Sequence, residues 1–172
     1  MPAKTQNGFV LIELVATLVL VGFIGAFVGL FLYTGINGFL ASKRNSEAAL
    51  KAQITLDRIS AELRQISSIP SGVLPVPNVS ITYLSKDKDL TGTRKIRYDS
   101  GAKIIYFSRD GTENPLLDQV TSFNLSLTYA DMDQLTPSDQ EIQSIQIGFA
   151  IADVPKTFSM RIYPRTLIKQ PS

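Results

Sequence analysis

Apolar residues follow three patterns along this chain. From Phe9 to Ala41 they are nearly continuous. The only charge in that stretch is Glu13, and no other appears until Lys43. From Ala49 to Ile66 they recur every three or four positions, at Ala49, Ala52, Leu56, Ile59, Leu63 and Ile66. Beyond Pro77 they alternate with polar residues. The continuous run holds roughly 33 residues, well past the roughly 20 that span a bilayer. As a helix it would be about 50 Å long at about 1.5 Å per residue. A hydrocarbon core is about 30 Å thick, so the excess must tilt, emerge or pack on protein. Polar Thr34 and Asn37, with Gly35 and Gly38, place the far end outside lipid. The run is too long for a cleavable secretory signal, and no A-x-A-like site follows it. A plain membrane anchor explains its length.

The three-to-four spacing predicts an amphipathic helix across residues 42–69. Glu47 and Lys51 form a favourable i, i+4 pair on it. The stripe suits packing on a sheet better than a coiled-coil seam. Pro70, Gly72, Pro75 and Pro77 then make a non-helical connector. "VSITYL" at 79–84 is rich in β-formers. "RKIRYDSGAKIIYFSRDG" reads as a hairpin turning at Asp99, Ser100 and Gly101. "SFNLSLTYA" puts Phe123, Leu125, Leu127 and Tyr129 on one face, and "SIQIGFAIA" does the same with Ile145, Ile147, Phe149 and Ile151. "FSMRIYPRT" closes the series, with Pro164 ending it or marking an edge. The expected fold is therefore α+β. A long N-terminal helix, transmembrane and then amphipathic, packs on an antiparallel β-sheet head. The expected organisation is a leader at 1–8, a transmembrane helix at 9–41, the amphipathic helix at 42–69 and a β-rich head at 70–172.

Composition removes several chemistries. With no cysteine and no histidine, the chain has no disulfides, no thiolate or imidazole zinc site and no Ser/His/Asp triad. No glycine-rich phosphate loop of the Walker or dinucleotide form occurs. A formal charge of +2 argues for neither nucleic acid nor an anionic surface. The enzymatic reading therefore lacks a constellation. Two charged clusters remain. "ADMDQLTPSDQE" carries Asp131, Asp133, Asp139 and Glu141 without EF-hand spacing. A solvated loop is favoured there over a structural calcium site, and no cofactor is expected. The "KDKD" stretch at 86–89 is read as a solvated turn. Arg94, Lys95, Arg97, Lys103 and Arg109 surround the hairpin. On one face they would suit DNA, but an ordinary charged sheet face is favoured over nucleic acid.

The plain anchor leaves Glu13 unexplained. A carboxylate at the bilayer centre costs on the order of 2.5–3.5 kcal/mol. The cost falls near the segment's end, and a helix N-terminus favours negative charge. Such a group is tolerated there, but an anchor has no use for it. Gly22, Gly25 and Gly29 lie three and four apart, a spacing that lets helix backbones approach closely, although glycine is also common in membrane helices generally.

"GFVLIELVATLVLVGFIGAF", preceded by a short leader carrying Lys4, resembles the N-terminus of type IV prepilins and pseudopilins. The family pattern is a basic leader, Gly, Phe, a few apolar residues, Glu and an apolar run. Val10 stands where threonine is more usual. The resemblance implies a cut between Gly8 and Phe9 by a prepilin peptidase on the cytoplasmic side, and N-methylation of the new Phe9 amine. It implies that this amine meets the Glu13 carboxylate of a neighbouring subunit during assembly. It gives Gly22, Gly25 and Gly29 a helix-packing role. The implied partners are the peptidase, other pilins or pseudopilins through their N-terminal helices, the inner-membrane assembly platform, and lipid before assembly. The implied location is the bacterial inner membrane, N-terminus cytoplasmic and head periplasmic, then the pilus or pseudopilus. "LDRISAELRQI" followed by "RKIRYDSGAKIIYF" most resembles minor pilins of the mannose-sensitive haemagglutinin type and J-type minor pseudopilins of type II secretion. Counting Lys4 and the start amine against Lys43, Arg44 and Lys51 would by itself put the head inside the cell. The alternative is a single-pass anchor displaying a periplasmic module that binds a protein substrate or DNA.

Overall fold

The computed structural model describes residues 11–86, 92–133, 140–152 and 154–169. The chain forms two compact units, Met1–Arg44 and Asn45–Ser172, and one helix, α1 (Leu11–Arg64), belongs to both. In the first unit every described residue is exposed. The helix is long and apolar enough to cross a membrane. Its polar side chains are accommodated locally. The Thr17 hydroxyl donates to the Leu14 carbonyl (2.9 Å) and the Thr34 hydroxyl to the Leu30 carbonyl (2.9 Å). Such back-bonding hides a hydroxyl on a surface otherwise made of hydrocarbon.

In the second unit the helix buries one stripe: Ala52, Leu56, Ile59 and Leu63, with Thr55 and Ser60 between them. Ala49 is only half-buried. The stripe packs into a core shared with the sheets, as its spacing predicts. The helix stops earlier than expected, at Arg64. Gln65 N–H bonds back to the Glu62 carbonyl (3.2 Å), and Arg165 N–H caps the Arg64 carbonyl (3.3 Å). Residues Ile66–Ser68 form a short strand, β1, instead of a last helical turn. Ile66 is fully buried in this strand, so the apolar spacing did not discriminate. Ser67 and Ser68 are weak helix formers, and residue 69 precedes Pro70, which disfavours helix. In strand form Ser67 donates its hydroxyl to the Leu84 carbonyl (3.1 Å).

Among the described residues, eight strands form two antiparallel sheets. The first is β1, β2 (Ser80–Ser85), β3 (Thr93–Asp99), β4 (Ile104–Arg109) and β5 (Thr112–Leu117), in sequential order. The second is β6 (Val120–Ala130), β7 (Glu141–Ile151) and β8 (Thr157–Ile162). The β3–β4 turn is held by Asp99, whose Oδ1 accepts from Gly101 N–H (3.0 Å) and Ala102 N–H (2.9 Å). Lys103, rather than Gly101, takes the left-handed backbone there, with φ 58°. Asp110 and Gly111, with φ 50° and 85°, form the two-residue β4–β5 turn. That geometry favours Asp-Gly. Strand β5 was not expected from the sequence. It carries Pro115, which is tolerable because β5 is an edge.

Two bulges let the long strands change parity. Val120 pairs with Ile151 and Ser122 with Ala150, so Thr121 is extra in β6. Thr128 pairs with Ser144 and Tyr129 with Ile142, so Gln143 is extra in β7. Each bulge brings an additional residue, Val120 or Ile142, onto the buried face that already holds Phe123 or Ile145. The sheets are tied by Tyr98, which stacks on Phe123 at 5.4 Å and donates its hydroxyl to the Val120 carbonyl (3.1 Å). Asn78 adds a reciprocal pair with Leu125: its N–H donates to the Leu125 carbonyl and its Oδ1 accepts from Leu125 N–H, both at 3.2 Å.

Candidate functional site

The first candidate is the start of α1. Glu13 stands in the first helical turn and is exposed. Leu11, Ile12, Leu14 and Val15 surround it in sequence and are also exposed. Gly22, Gly25 and Gly29 have nothing within 4 Å of where a Cβ would sit, so no contact within the chain requires glycine there. Gly8 and Phe9 lie outside the described residues, as do Lys4, Asp87, Lys88, Asp89 and Asp139.

The basic residues of the hairpin do not form one face. Strand alternation turns Arg94 inward with Ile96. Arg94 is 2% exposed and pairs with Glu62 of α1. Arg97 makes a two-pronged contact with Glu113 of β5 (2.9 and 2.7 Å), bonds Asp99 (3.0 Å), and lies 4.9 Å from the centre of the Tyr106 ring. Arg109 lies 3.8 Å from Asp110. Around Arg97 and Arg109 the described surface is therefore of mixed sign.

This network has a pH signature. Hydrogen bonds from Ala102 and Arg97 hold the Asp99 carboxyl below its ordinary range, and Arg97 does the same for Glu113. The folded state therefore binds these protons less readily than the unfolded chain. The resulting stability is present above the ordinary carboxylate pKa of about 4 and is lost as pH falls through the depressed values. In thermal melts between about pH 5 and pH 2, Asp99→Asn and Glu113→Gln should show a shallower acid-side decline than the parent. An unchanged slope would refute the assignment.

Sequence reasoning missed a buried polar cluster under α1. The Tyr83 hydroxyl of β2 is buried near the Glu62–Arg94 pair. Burial, then the negative charge of Glu62, pushes its pKa upward, while Arg94 pulls it down. Glu62 is near enough to act electrostatically, yet no hydrogen bond of ordinary geometry joins the two among the described residues. The usable signal was parity: Arg94 occupies the same strand face as Ile96.

Two hollows open on the second unit. One of about 370 Å³ lies between Lys51, Ile54 and Thr55 of α1 and the segment Pro115–Asp118, with Lys51 Nζ 3.8 Å from Asp118. The other, of about 320 Å³, is bordered by Met132, Ile142, Gln143 and residues 163–167. Beside the second, the structure joins three of the four acidic residues singled out in the sequence. One carboxylate oxygen each from Asp131, Asp133 and Glu141 lies within 4.8 Å of the others.

No family model, curated protein or solved structure matches the chain.

Proposed function

We propose that this chain is a structural subunit of the type IV pilin and pseudopilin class, a minor pilin or pseudopilin and not an enzyme. It is cut between Gly8 and Phe9 and methylated at Phe9. It is then assembled into, or at the tip of, a type IV pilus or type II secretion pseudopilus. The observation that carries this reading is Glu13, a lone carboxylate in the first turn of an apolar helix with no further charge before Lys43. Each charge alone is costly in an apolar bundle, whereas an amine at Phe9 of one subunit and the carboxylate of another largely neutralise each other. The exposure of every described residue of the first unit supports the reading, because that surface then has two successive environments, lipid before assembly and neighbouring helices afterwards. An α+β head following a long apolar helix fits the same plan. The partners are prepilin peptidase, neighbouring subunits and the inner-membrane assembly platform.

N-terminal sequencing tests this directly. Protein from cells containing prepilin peptidase should begin at Phe9, and Gly8→Ala should leave it uncut. A parent chain beginning at Met1 would refute the proposal and leave a plain anchor.

A further inference from the structure

Four strands stand at sheet edges, and three of those edges are closed to another strand. β1 is three residues long, its register shifts, and its Ile66 carbonyl accepts from the Thr166 hydroxyl (2.6 Å). β5 carries Pro115 with a bulge at Leu116 beside it. β6 is covered by Asn78, which takes both backbone groups of Leu125, and by the Lys103 carbonyl, which accepts from Val120 N–H (2.9 Å). Devices of this kind keep sheets from joining other chains. β8 has none of them. It runs six residues without proline, and its register against β7 is unbroken. Residues 157–162 make no backbone hydrogen bond away from β7 among the described residues. A strand turns alternate N–H and C=O groups to each side, so half of those on β8 point outward unpaired. The core also ends part-way across this strand. Phe149 and Ile147 of β7 are 1% and 0% exposed, whereas their partners Phe158 and Met160 are only half-buried. One more strand would cover what remains of them.

Charge selects the kind of strand. Residues 154–169 include exposed Lys156, Arg161 and Arg165 and no aspartate or glutamate. Arg161 lies on the outer face of β8, in line with Gln146 of β7 and Ser126 of β6, both neutral, and its guanidinium reaches only the Gln146 amide oxygen (3.4 Å). A second copy of the chain paired here would double these cations, and like charges across neighbouring strands are destabilising, whereas opposite charges are favourable. We infer that the free edge of β8 takes up an extended, acidic segment of another polypeptide. Its apolar side chains lie on the face of Phe158 and Met160, and its carboxylates on the face of Arg161. Main-chain hydrogen bonds supply the affinity, and the two faces supply the selectivity. The inference is independent of processing and assembly at the N-terminus.

The probe is a short peptide alternating glutamate and valine, acetylated and amidated at its ends, added to the full chain in detergent micelles. It should slow amide hydrogen exchange in residues 157–162 at least about tenfold. N-methylation of the valine amides, or of the glutamate amides, blocks hydrogen bonding along one edge of the peptide and leaves its side chains unchanged. One of the two methylated peptides should bind at least about tenfold more weakly, and the other should bind as the parent peptide does. Lysine in place of glutamate should weaken binding at least about tenfold, and Arg161→Glu, an exposed change, should reverse that preference. The proposal is overturned by no slowing in residues 157–162 at about 1 mM peptide, or by methylated peptides that bind equally. It is also overturned if the lysine peptide binds as tightly as the glutamate one. Exchange in residues 157–162 that slows with protein concentration, without peptide, would assign the edge to a second copy and overturn the acidic partner.

Discussion

Arg94→Leu is expected to cost about 3–5 kcal/mol of folding stability, read by urea denaturation of the full chain in detergent with circular dichroism. Single domains are held by about 5–15 kcal/mol, so this one change removes a large share of the total. The reason lies in what is left behind. Arg94 sits on β3 beneath α1, 2% exposed, and its charge meets Glu62. Removing the guanidinium leaves the Glu62 carboxylate, whose side chain is only 16% exposed, without the counter-charge it meets, beside a Tyr83 hydroxyl that is itself buried. Glu62→Leu should also destabilise the fold, because it removes the carboxylate that the buried Arg94 charge meets. The double variant, Glu62→Leu with Arg94→Leu, should recover most of the loss, because a buried ion pair and an apolar pair of similar volume are often near equal in stability. Single variants that lose less than about 1 kcal/mol would place the pair among surface salt bridges. A double variant as unstable as the sum of the singles would show that Arg94 acts through packing and not through charge.

Much of this fold is legible in the sequence, for definite reasons. The stripe of Ala52, Leu56, Ile59 and Leu63 is one helical face, and it is the face that is buried. The period-two runs around Leu125 and Ile147 became the two longest strands. What escaped was information carried by exceptions to a period. Bulges at Thr121 and Gln143 change strand parity, so Val120 and Ile142 join the core from positions that alternation alone assigns elsewhere. The Asp110–Gly111 turn was visible as a dipeptide, but Asn114 and Pro115 disguised the strand after it. The early end of α1 was hidden because Ile66 is buried whether residue 66 is helical or extended. Charge placement was the least legible. Arg94, Arg97 and Arg109 form one basic group in sequence, yet in space each faces a different carboxylate. The acidic residues went the opposite way. Asp131, Asp133 and Glu141 stand in one acidic stretch of the sequence, and the structure sets one carboxylate oxygen of each within 4.8 Å of the others. For the proposed processing site the balance reverses: its evidence is the order of residues around Gly8, Phe9 and Glu13, because Gly8 and Phe9 lie outside the described residues.

Glu13→Val should leave membrane insertion intact and abolish incorporation into filaments. Insertion depends on the summed apolar character of the helix, which valine increases. Incorporation, on the proposed reading, depends on one pair: the amine that cleavage creates at Phe9 and the carboxylate of Glu13 on a neighbouring subunit. Hydrophobic contacts between helices such as this one are poorly directional, and sliding one apolar helix along another changes the buried area little. Lipid is also as apolar as the helix surface, so packing alone gives limited drive to leave the membrane. A charge pair in a low-dielectric bundle supplies what packing lacks, since its energy depends steeply on separation and singles out one axial register. Losing the carboxylate strands the amine of the neighbouring subunit at a desolvation cost of several kcal/mol. A loss of that size lowers incorporation by at least about a hundredfold, at about 1.4 kcal/mol per factor of ten. Glu13→Asp should restore part of it, because the charge is kept and only the reach is shortened. The readouts are the variant's yield in the membrane fraction, its N-terminal residue, and its yield in sheared filament or pseudopilus preparations. Processing at Phe9 should persist in the variant, which separates a failure of assembly from a failure of cleavage. Normal incorporation of Glu13→Val would refute the pairing. A variant missing from the membrane would mean that Glu13 acts in insertion or stability.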